Sequence, residues 1–117
     1  MSGRGSRDKG KRGEREVATI LREAMPAATI HRGWQARAGS DAPDVIAPGL
    51  WCECKRSKKP NIRAALRQAH EANGDRPLVP IACTRADRDG WLVTLKLSDF
   101  ANMAAKLWAL GMLGGDE

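Results

Sequence analysis

Apolar residues recur at the spacing of an amphipathic helix in three stretches of the chain. The first helix is predicted from about Gly13 to Met25, and Pro26 closes it. The second is predicted over residues 62–73, where Gly74 ends it as a C-cap residue. The buried stripe of this second helix is expected to comprise Ile62, Ala65, Leu66 and Ala69.

The third predicted helix covers about residues 99–110, with Ser98 as its N-cap and Gly111 as its end. Its apolar positions form a wider surface than one small core needs. They are Phe100, Met103, Ala104, Leu107, Trp108 and Leu110. Two interpretations fit this surface: it packs on the sheet of its own chain, or it joins two copies of the chain.

Short apolar runs between turn signals predict five strands. These are expected over residues 28–37, 44–47, 50–55, 78–84 and 91–97. The second and third strands are joined by Pro48 and Gly49, a pair that suits a type I or type II turn. The resulting order, α-β-β-β-α-β-β-α, predicts an α/β fold in which helices flank a central mixed sheet.

The 117 residues of the chain suffice for a single hydrophobic core. Residues 1–10 are rich in glycine, serine and charge, which predicts a flexible basic tail, and residues 11–117 are expected to form one domain. There are 20 Lys and Arg against 14 Asp and Glu, a net charge of +6. This excess favours a polyanionic partner such as nucleic acid, although solubility alone also selects basic proteins.

Two classes of protein are excluded by the arrangement of apolar residues and cysteines. No apolar run approaches the roughly 20 residues needed to cross a bilayer, and the basic N-terminus is not followed by the apolar segment of a secretory signal. Cys52, Cys54 and Cys83 are odd in number, which does not suggest a disulfide framework. We therefore expect a protein of the reducing cytoplasm, in a bacterial, archaeal or phage-infected cell.

Candidate chemistry is concentrated on the predicted hairpin. Side chains alternate along a strand, so Glu53 and Lys55 share one face while Asp44 lies across the hairpin from them. Phosphodiester hydrolysis needs an activated water and neutralisation of phosphate charge, and Mg²⁺ held by one or two carboxylates supplies both. Taken separately, Pro-Asp is a common turn and Glu-x-Lys is a common surface pair of charges. Their order along one hairpin is what favours a catalytic role.

This order of motifs, Pro-Asp at 43–44 and Glu-Cys-Lys at 53–55, resembles the PD-(D/E)XK nuclease superfamily. Within it the chain is most similar to Holliday junction resolvases of the archaeal type and their phage relatives. That similarity rests on KGKRGEREVATIL at 9–21, which resembles their opening helix, and on ARAGSDAPD at 36–44. The resemblance implies a restriction-endonuclease-like core and a Mg²⁺-dependent endonuclease, in which Mn²⁺ would substitute for Mg²⁺.

The resemblance also implies a role for each residue of the hairpin motif. Asp44 and Glu53 would be metal ligands, together with Cys54, which lies between Glu53 and Lys55 in the motif. Lys55 would orient the attacking water or stabilise charge on the phosphate. A non-catalytic module that keeps the same fold and charge is the alternative, and the intact carboxylates and lysine argue against it.

Residues outside the hairpin complete the predicted site. Glu14 matches the acidic metal ligand on the first helix of the family; Glu16 is the alternative, but it is expected to turn away from the apolar stripe. Gln68 resembles a glutamine that many members place on the helix after this strand, although an ordinary boundary glutamine is nearly as good an interpretation. Ser40 matches a small polar residue of the resolvase loop.

DNA is the expected substrate, branched or duplex, because basic residues flank the predicted site and the resemblance is to junction resolvases. The residues expected to contact it are Lys11, Arg12, Arg15, Ser40, Arg56, Lys58, Lys59, Arg63 and Arg67. Paired cuts in a four-way junction need two active sites, which predicts a homodimer. The remaining alternatives are a nuclease of phage origin that acts on other duplex or single-stranded DNA, and a small RNA-binding protein.

Overall fold

The computed structural model of the chain describes residues 3–33 and 42–113, with the side chains of the first helix described from Lys9 onward. Its elements are α1 (Gly3–Ala24), β1 (His31–Arg32), β2 (Val45–Ala47), β3 (Leu50–Arg56), α2 (Ile62–Asn73), β4 (Val79–Arg85), β5 (Leu92–Thr94) and α3 (Leu97–Ala109). The predicted order of helices and strands is confirmed. Among these described helices, none is long and apolar enough to span a membrane.

The five strands form one mixed sheet in the order β1-β2-β3-β4-β5. β3 and β4 are parallel, with Leu50 opposite Val79 and Arg56 opposite Arg85, and the other pairs are antiparallel. The parallel pair requires a crossover, which α2 supplies. Consequently the carboxyl ends of β3 and β4 meet at one end of the sheet, the region where ligands commonly bind in α/β folds.

Alternation along the central strands divides the buried residues between two faces. On one face α1 and α3 cover a core that includes Val17, Leu50, Cys52, Ile81 and Leu107. On the other, α2 lies over the same two strands and buries Trp51, Ala65, Ala69, Ala82 and Thr84. β4 is therefore buried on both faces, which explains why its sequence is almost continuously apolar.

The middle of the chain follows its sequence signals closely. α2 has the predicted bounds, and it begins at Asn61, whose side chain accepts a hydrogen bond from the amide of Ala64 at 3.0 Å. The β2–β3 turn has Gly49 at a φ of +77°, which identifies it as the type II alternative. Within α2, only two of the four residues of the expected stripe, Ala65 and Ala69, are fully buried.

Several boundaries differ from the prediction, and one is the fifth strand, which is expected over 91–97 and is observed as Leu92–Thr94. Residues 3–10, expected as a tail, form the first turns of α1, so the predicted helix start at Gly13 is wrong. The first strand is only two residues long, and Trp34, predicted within it, lies outside the described residues. Ser98 is not the N-cap of α3: the cap is Lys96, which makes no side-chain capping bond, and Ser98 lies in the first turn.

The error at the start of α1 has a physical cause in tertiary contacts. At Gly13 a β-carbon would lie 3.2 Å from the ring of Trp91 and 3.3 Å from Cβ of Arg56, so this glycine permits close packing inside the helix. It does not mark a helix end. At α3, the first residue, Leu97, is 87% exposed, so burial of an apolar residue does not define where that helix begins.

Candidate active site

Asp44 lies directly before β2, and its carboxylate interacts with that of Glu53 on β3. The register of the hairpin ends with Val45 opposite Cys52. The main-chain amide of Asp44 donates to the carbonyl of Cys52 at 3.0 Å, and Oδ2 of Asp44 accepts the amide of Cys54 at 2.8 Å. The carboxylate of Asp44 is therefore held beside β3 by the main-chain amide of Cys54.

Glu53 is held in place by its neighbour on the same face of β3. Nε1 of the buried Trp51 donates to Oε2 of Glu53 at 2.8 Å, and the guanidinium of Arg76 lies 4.7 Å from the centre of the Trp51 ring. Burial raises the pKa of Glu53 to about 8, and the negative charge of Asp44 adds to that effect. The charge of Asp44 therefore disfavours the ionised form of Glu53 unless a cation lies between the two carboxylates.

Glu14 approaches the same two carboxylates from α1. Its Oε1 accepts a hydrogen bond from Nε of Arg32 on β1 at 3.0 Å, and its side chain is only 13% exposed. Burial raises the pKa of Glu14; the hydrogen bond from Arg32 opposes that shift, and the charge of Asp44 reinforces it. The charge of Glu14 also contributes to the raised pKa of Glu53. Three predicted residues are thus electrostatically coupled although they come from separate elements.

Glu16, the alternative to Glu14, is engaged elsewhere. Its carboxylate accepts hydrogen bonds from Nη1 of Arg85 at 2.8 Å, Nε1 of Trp91 at 2.9 Å and Nη1 of Arg56 at 3.2 Å. Burial alone would raise the pKa of Glu16, but the bonds from Trp91 and Arg85 outweigh it and lower the pKa. Glu16 therefore contacts the ends of β3 and β4, contrary to the expectation that it turns away, and it ties α1 to the sheet.

Lys55 and Cys54 point to opposite faces of β3. Lys55 is exposed on the face of Glu53, whereas the thiol of Cys54 packs beside the core under α1. The amide of Cys54 points toward Asp44, and the amide and carbonyl of one strand residue point to the same strand edge. Any contact of Cys54 with a metal at Asp44 and Glu53 would therefore come from its carbonyl oxygen.

Gln68 is exposed on α2 and lies on the flank that faces the site. His70 on the other flank approaches Asp99 of α3, with 3.7 Å between Nε2 and Oδ2, beyond the edge strand β5. Successive helical residues are about 100° apart, so Gln68 projects to the side opposite His70, which is the side of β3 and β2. No contact of Gln68 with Glu53 is present among the described residues.

The predicted DNA contacts divide into exposed and engaged residues. Lys11, Arg12, Arg15, Lys58, Lys59, Arg63 and Arg67 are exposed. Arg56 is instead half-buried and paired with Glu16, and Ser40 lies outside the described residues. Trp51 is a core residue. No local sequence signal pointed to Arg32, Arg85 or Trp91, because their partners are far away along the chain.

The donor set of the site suits a hard cation. Asp44, Glu53 and a main-chain carbonyl offer only oxygen, the ligand type that Mg²⁺ and Mn²⁺ prefer. Within residues 3–33 and 42–113, no group of three or more His, Cys, Asp or Glu side chains forms a ready-made metal cage. Two carboxylates completed by water therefore fit better than a closed cage, and the raised pKa of Glu53 is consistent with a place for positive charge.

Comparison with known proteins does not assign the chain to a family: no family model matches it, and no curated protein matches it. The PD-(D/E)XK resemblance accordingly remains a prediction from the motifs.

Proposed function

We propose that this protein is a Mg²⁺-dependent endodeoxyribonuclease that hydrolyses phosphodiester bonds. The observation that carries the proposal is the closeness of the Asp44 and Glu53 carboxylates in a partly buried place, where burial and the charge of Asp44 raise the pKa of Glu53 to about 8. Lys55 extends from the same face as Glu53, two residues later.

In the proposed mechanism, Asp44 and Glu53 would hold Mg²⁺, with the carbonyl of Cys54 as a further ligand and Glu14 beside them. The ion would lower the pKa of a bound water and neutralise charge on the phosphate. Trp51 keeps the Glu53 carboxylate oriented, and the amide of Cys54 does the same for Asp44. Lys55 would orient the water or stabilise the phosphate, and Gln68 would approach from α2.

DNA would be bound mainly through its backbone. The exposed lysines and arginines on α1, on the loop after β3 and on α2 surround the proposed site, and such residues contact phosphates without reading sequence. We propose a structure-specific substrate, a Holliday junction or a related branched DNA. The alternatives are another DNA nuclease activity and a catalytically silent binding module.

A homodimer is part of the proposal because a four-way junction needs two cuts. The surface that favours it lies on α3 and β5, where large apolar side chains are exposed. They are Leu92, Val93, Leu97, Phe100, Trp108 and Leu110. A contiguous exposed surface of this kind typically marks an interaction site.

The decisive experiment compares cleavage of labelled four-way junction, flap, linear duplex and single strand, with Mg²⁺ or with EDTA. Asp44→Asn and Lys55→Ala should each lower the cleavage rate by at least about 100-fold, because each removes a metal ligand or a charge-stabilising group. Asp75→Asn and Lys96→Ala, exposed and distant in sequence from the site, are the matched controls.

The outcomes separate the alternatives. Metal-dependent cleavage of the junction alone supports the resolvase-like activity, and equal cleavage of every substrate leaves a nuclease without that specificity. If no substrate is cut with Mg²⁺ or Mn²⁺, the proposed enzyme is wrong. If the Asp44 and Lys55 variants cut as fast as the wild type, the nuclease has a different active site.

A further inference from the structure

A cavity of about 340 Å³ opens at the carboxyl ends of β3 and β4, beside the proposed active site. It lies between the start of α2 and the turn that leads into β5. Thr84 lines it, and Thr84 is the register partner of Lys55, so the cavity is one strand away from the proposed catalytic lysine. A strand of DNA cut at Lys55 would therefore pass its next nucleotide close to this cavity.

The walls combine apolar surface with a few polar groups. Pro60, Ile62 and Trp91 supply apolar and aromatic surface, while Lys59 and Asp89 supply charge. Thr84 is 1% exposed, and its hydroxyl has no hydrogen-bond partner within the described part of the chain. A buried hydroxyl without a partner is costly, and rotation of the Thr84 side chain about its Cα–Cβ bond would turn this hydroxyl toward the cavity, where a ligand could satisfy it.

This combination suits a nucleobase better than a bare phosphate. The volume lies at the lower end of the range for small-molecule sites, which are mostly apolar with a few polar groups that fix orientation. A phosphate would gain nothing from Ile62 or Trp91 and would be repelled by Asp89. A base can pack on the apolar walls, bond to Thr84 and donate an amino group to Asp89, while Lys59 contacts its phosphate.

We propose that this cavity binds one unpaired nucleobase of the DNA strand next to the cleaved bond. The proposal rests on the proposed nuclease function and sharpens its substrate class: DNA with an unpaired nucleotide at the cut would be bound in preference to continuous duplex. An unpaired base has already left the stack, so it enters the cavity without the unstacking cost that a paired base must meet.

The test measures binding without cleavage, in EDTA, to two duplexes that carry 2-aminopurine. In one duplex the 2-aminopurine is a single-nucleotide bulge, and in the other it is paired with thymine. The wild type should bind the bulge about tenfold more tightly, within the range for packing one base on protein side chains. Thr84→Val and Ala86→Leu should remove that preference and leave affinity for the paired duplex unchanged, since one deletes the hydroxyl and the other fills the cavity.

Matched controls distinguish a loss of base binding from misfolding and from the effect of added side-chain volume. Ala27→Leu adds the same side chain at an exposed position that does not line the cavity, and it should keep the preference. Thr84→Val removes an unpaired buried hydroxyl, so the melting temperature should stay equal or rise. A large excess of free deoxyadenosine monophosphate should compete weakly if the base must belong to a strand, whereas complete competition would assign the cavity to free nucleotides and overturn the proposal.

Failure of this inference is distinguishable from failure of the nuclease. Equal wild-type affinity for bulged and paired duplex, or a preference retained by both cavity variants, overturns the base pocket. Mg²⁺-dependent cleavage in that same case leaves the nuclease intact. A bulge preference that both variants remove, in a protein that cuts no DNA, supports the pocket and overturns the nuclease.

Discussion

Trp51 and Glu53 are two residues apart on β3, and the strand therefore puts them on the same face. The indole is buried beneath α2 and donates to the carboxylate at the edge of that covered region. Glu53 thus has a fixed orientation and a poor environment for its charge at the same time. A residue of this kind suits cation binding, because its carboxylate is already oriented and a bound cation would supply the positive charge that its partly buried environment lacks.

The first prediction concerns the stability of the metal-free protein as pH changes. The pKa of Glu53 is raised from 4.5 to about 8 by burial and by Asp44, so the folded state holds this proton more tightly than the unfolded state does. The associated stability is complete below about pH 4.5 and is lost as pH rises through 8. In EDTA, the melting temperature followed by circular dichroism should therefore fall between about pH 5 and pH 8.

Two variants test whether Glu53 causes that fall. Glu53→Gln should flatten the curve, with some slope remaining because the pKa of Glu14 is raised as well. Glu71→Gln, at an exposed position of α2, is the control and should keep the wild-type slope. Mg²⁺ should raise the melting temperature more at pH 8 than at pH 6, since protons compete with the ion for Glu53. An unchanged slope in Glu53→Gln would contradict the assignment.

The residues of the site differ in how far the sequence predicts them. The register of β2 with β3 follows from a two-residue turn and strict alternation, which are local rules, and it brings Asp44, the residue before β2, close to Glu53. The choice between Glu14 and Glu16 does not follow from helical spacing alone. It depends on Arg32, Arg56 and Arg85, which reach α1 only after the sheet has formed. Side chains that meet through tertiary packing leave no periodic signal in the sequence.

At the scale of elements, α1 is longer than its pattern predicts. Its stripe begins at Val17, yet the helix continues back to Gly3 past glycines that include Gly10 and Gly13. An ion pair between Lys9 and Asp87, 3.5 Å long, and the contact of Gly13 with Trp91 connect this extension to the turn before β5. The extension carries the exposed basic residues Lys11 and Arg12, so its helical state would affect the proposed binding of DNA.

Alanine substitutions at the two glycines test this arrangement. A β-carbon at Gly10 meets open space, so Gly10→Ala should stabilise α1 by about 0.5–1 kcal/mol and raise the melting temperature by about 3 °C. Gly13→Ala makes the same change in helix propensity, but its β-carbon would lie within 3.3 Å of both Trp91 and Arg56, and the melting temperature should not rise. Calorimetry of the two variants measures the difference directly.

Two outcomes would contradict this prediction, and each would contradict a different part of it. Equal gains in both variants would contradict the close packing of α1 on Trp91. No gain in Gly10→Ala would indicate that the stable helix starts after Gly10, as the sequence pattern predicts. By contrast, α2 matched its prediction because its stripe, its start and the C-cap Gly74 are all local features and agree with one another.

At the scale of the whole molecule, the carboxylates and the exposed apolar surface are well separated. The carboxylates lie beside β2 toward the carboxyl end of β3, whereas β5 is the opposite edge strand and the last turns of α3 lie at the other end of β3, where Leu107 and Leu110 approach Gly49. An apolar groove of about 320 Å³ between α1, the sheet and α3 continues this surface inward. A second copy bound here would leave both proposed active sites open to DNA.

The last prediction is a dimer at micromolar concentration, measured by sedimentation velocity. Phe100 and Trp108 are 54% and 66% exposed, so they contribute little to the core of one chain. A charge at either position in an apolar contact between copies would be costly to bury. Phe100→Asp and Trp108→Asp should therefore yield monomers with a nearly unchanged melting temperature, and they should nick one strand of a four-way junction where the wild type makes paired cuts.

Asn102→Asp is the matched control, because it adds the same charge on the opposite side of α3 and should leave the dimer intact. A wild-type monomer at micromolar concentration would contradict the proposed dimer. Dimers that persist in both the Phe100 and the Trp108 variants would place the contact on another surface. Paired cuts made by a protein that stays monomeric would separate junction cleavage from dimerisation, since one active site would then have to cut both strands in succession.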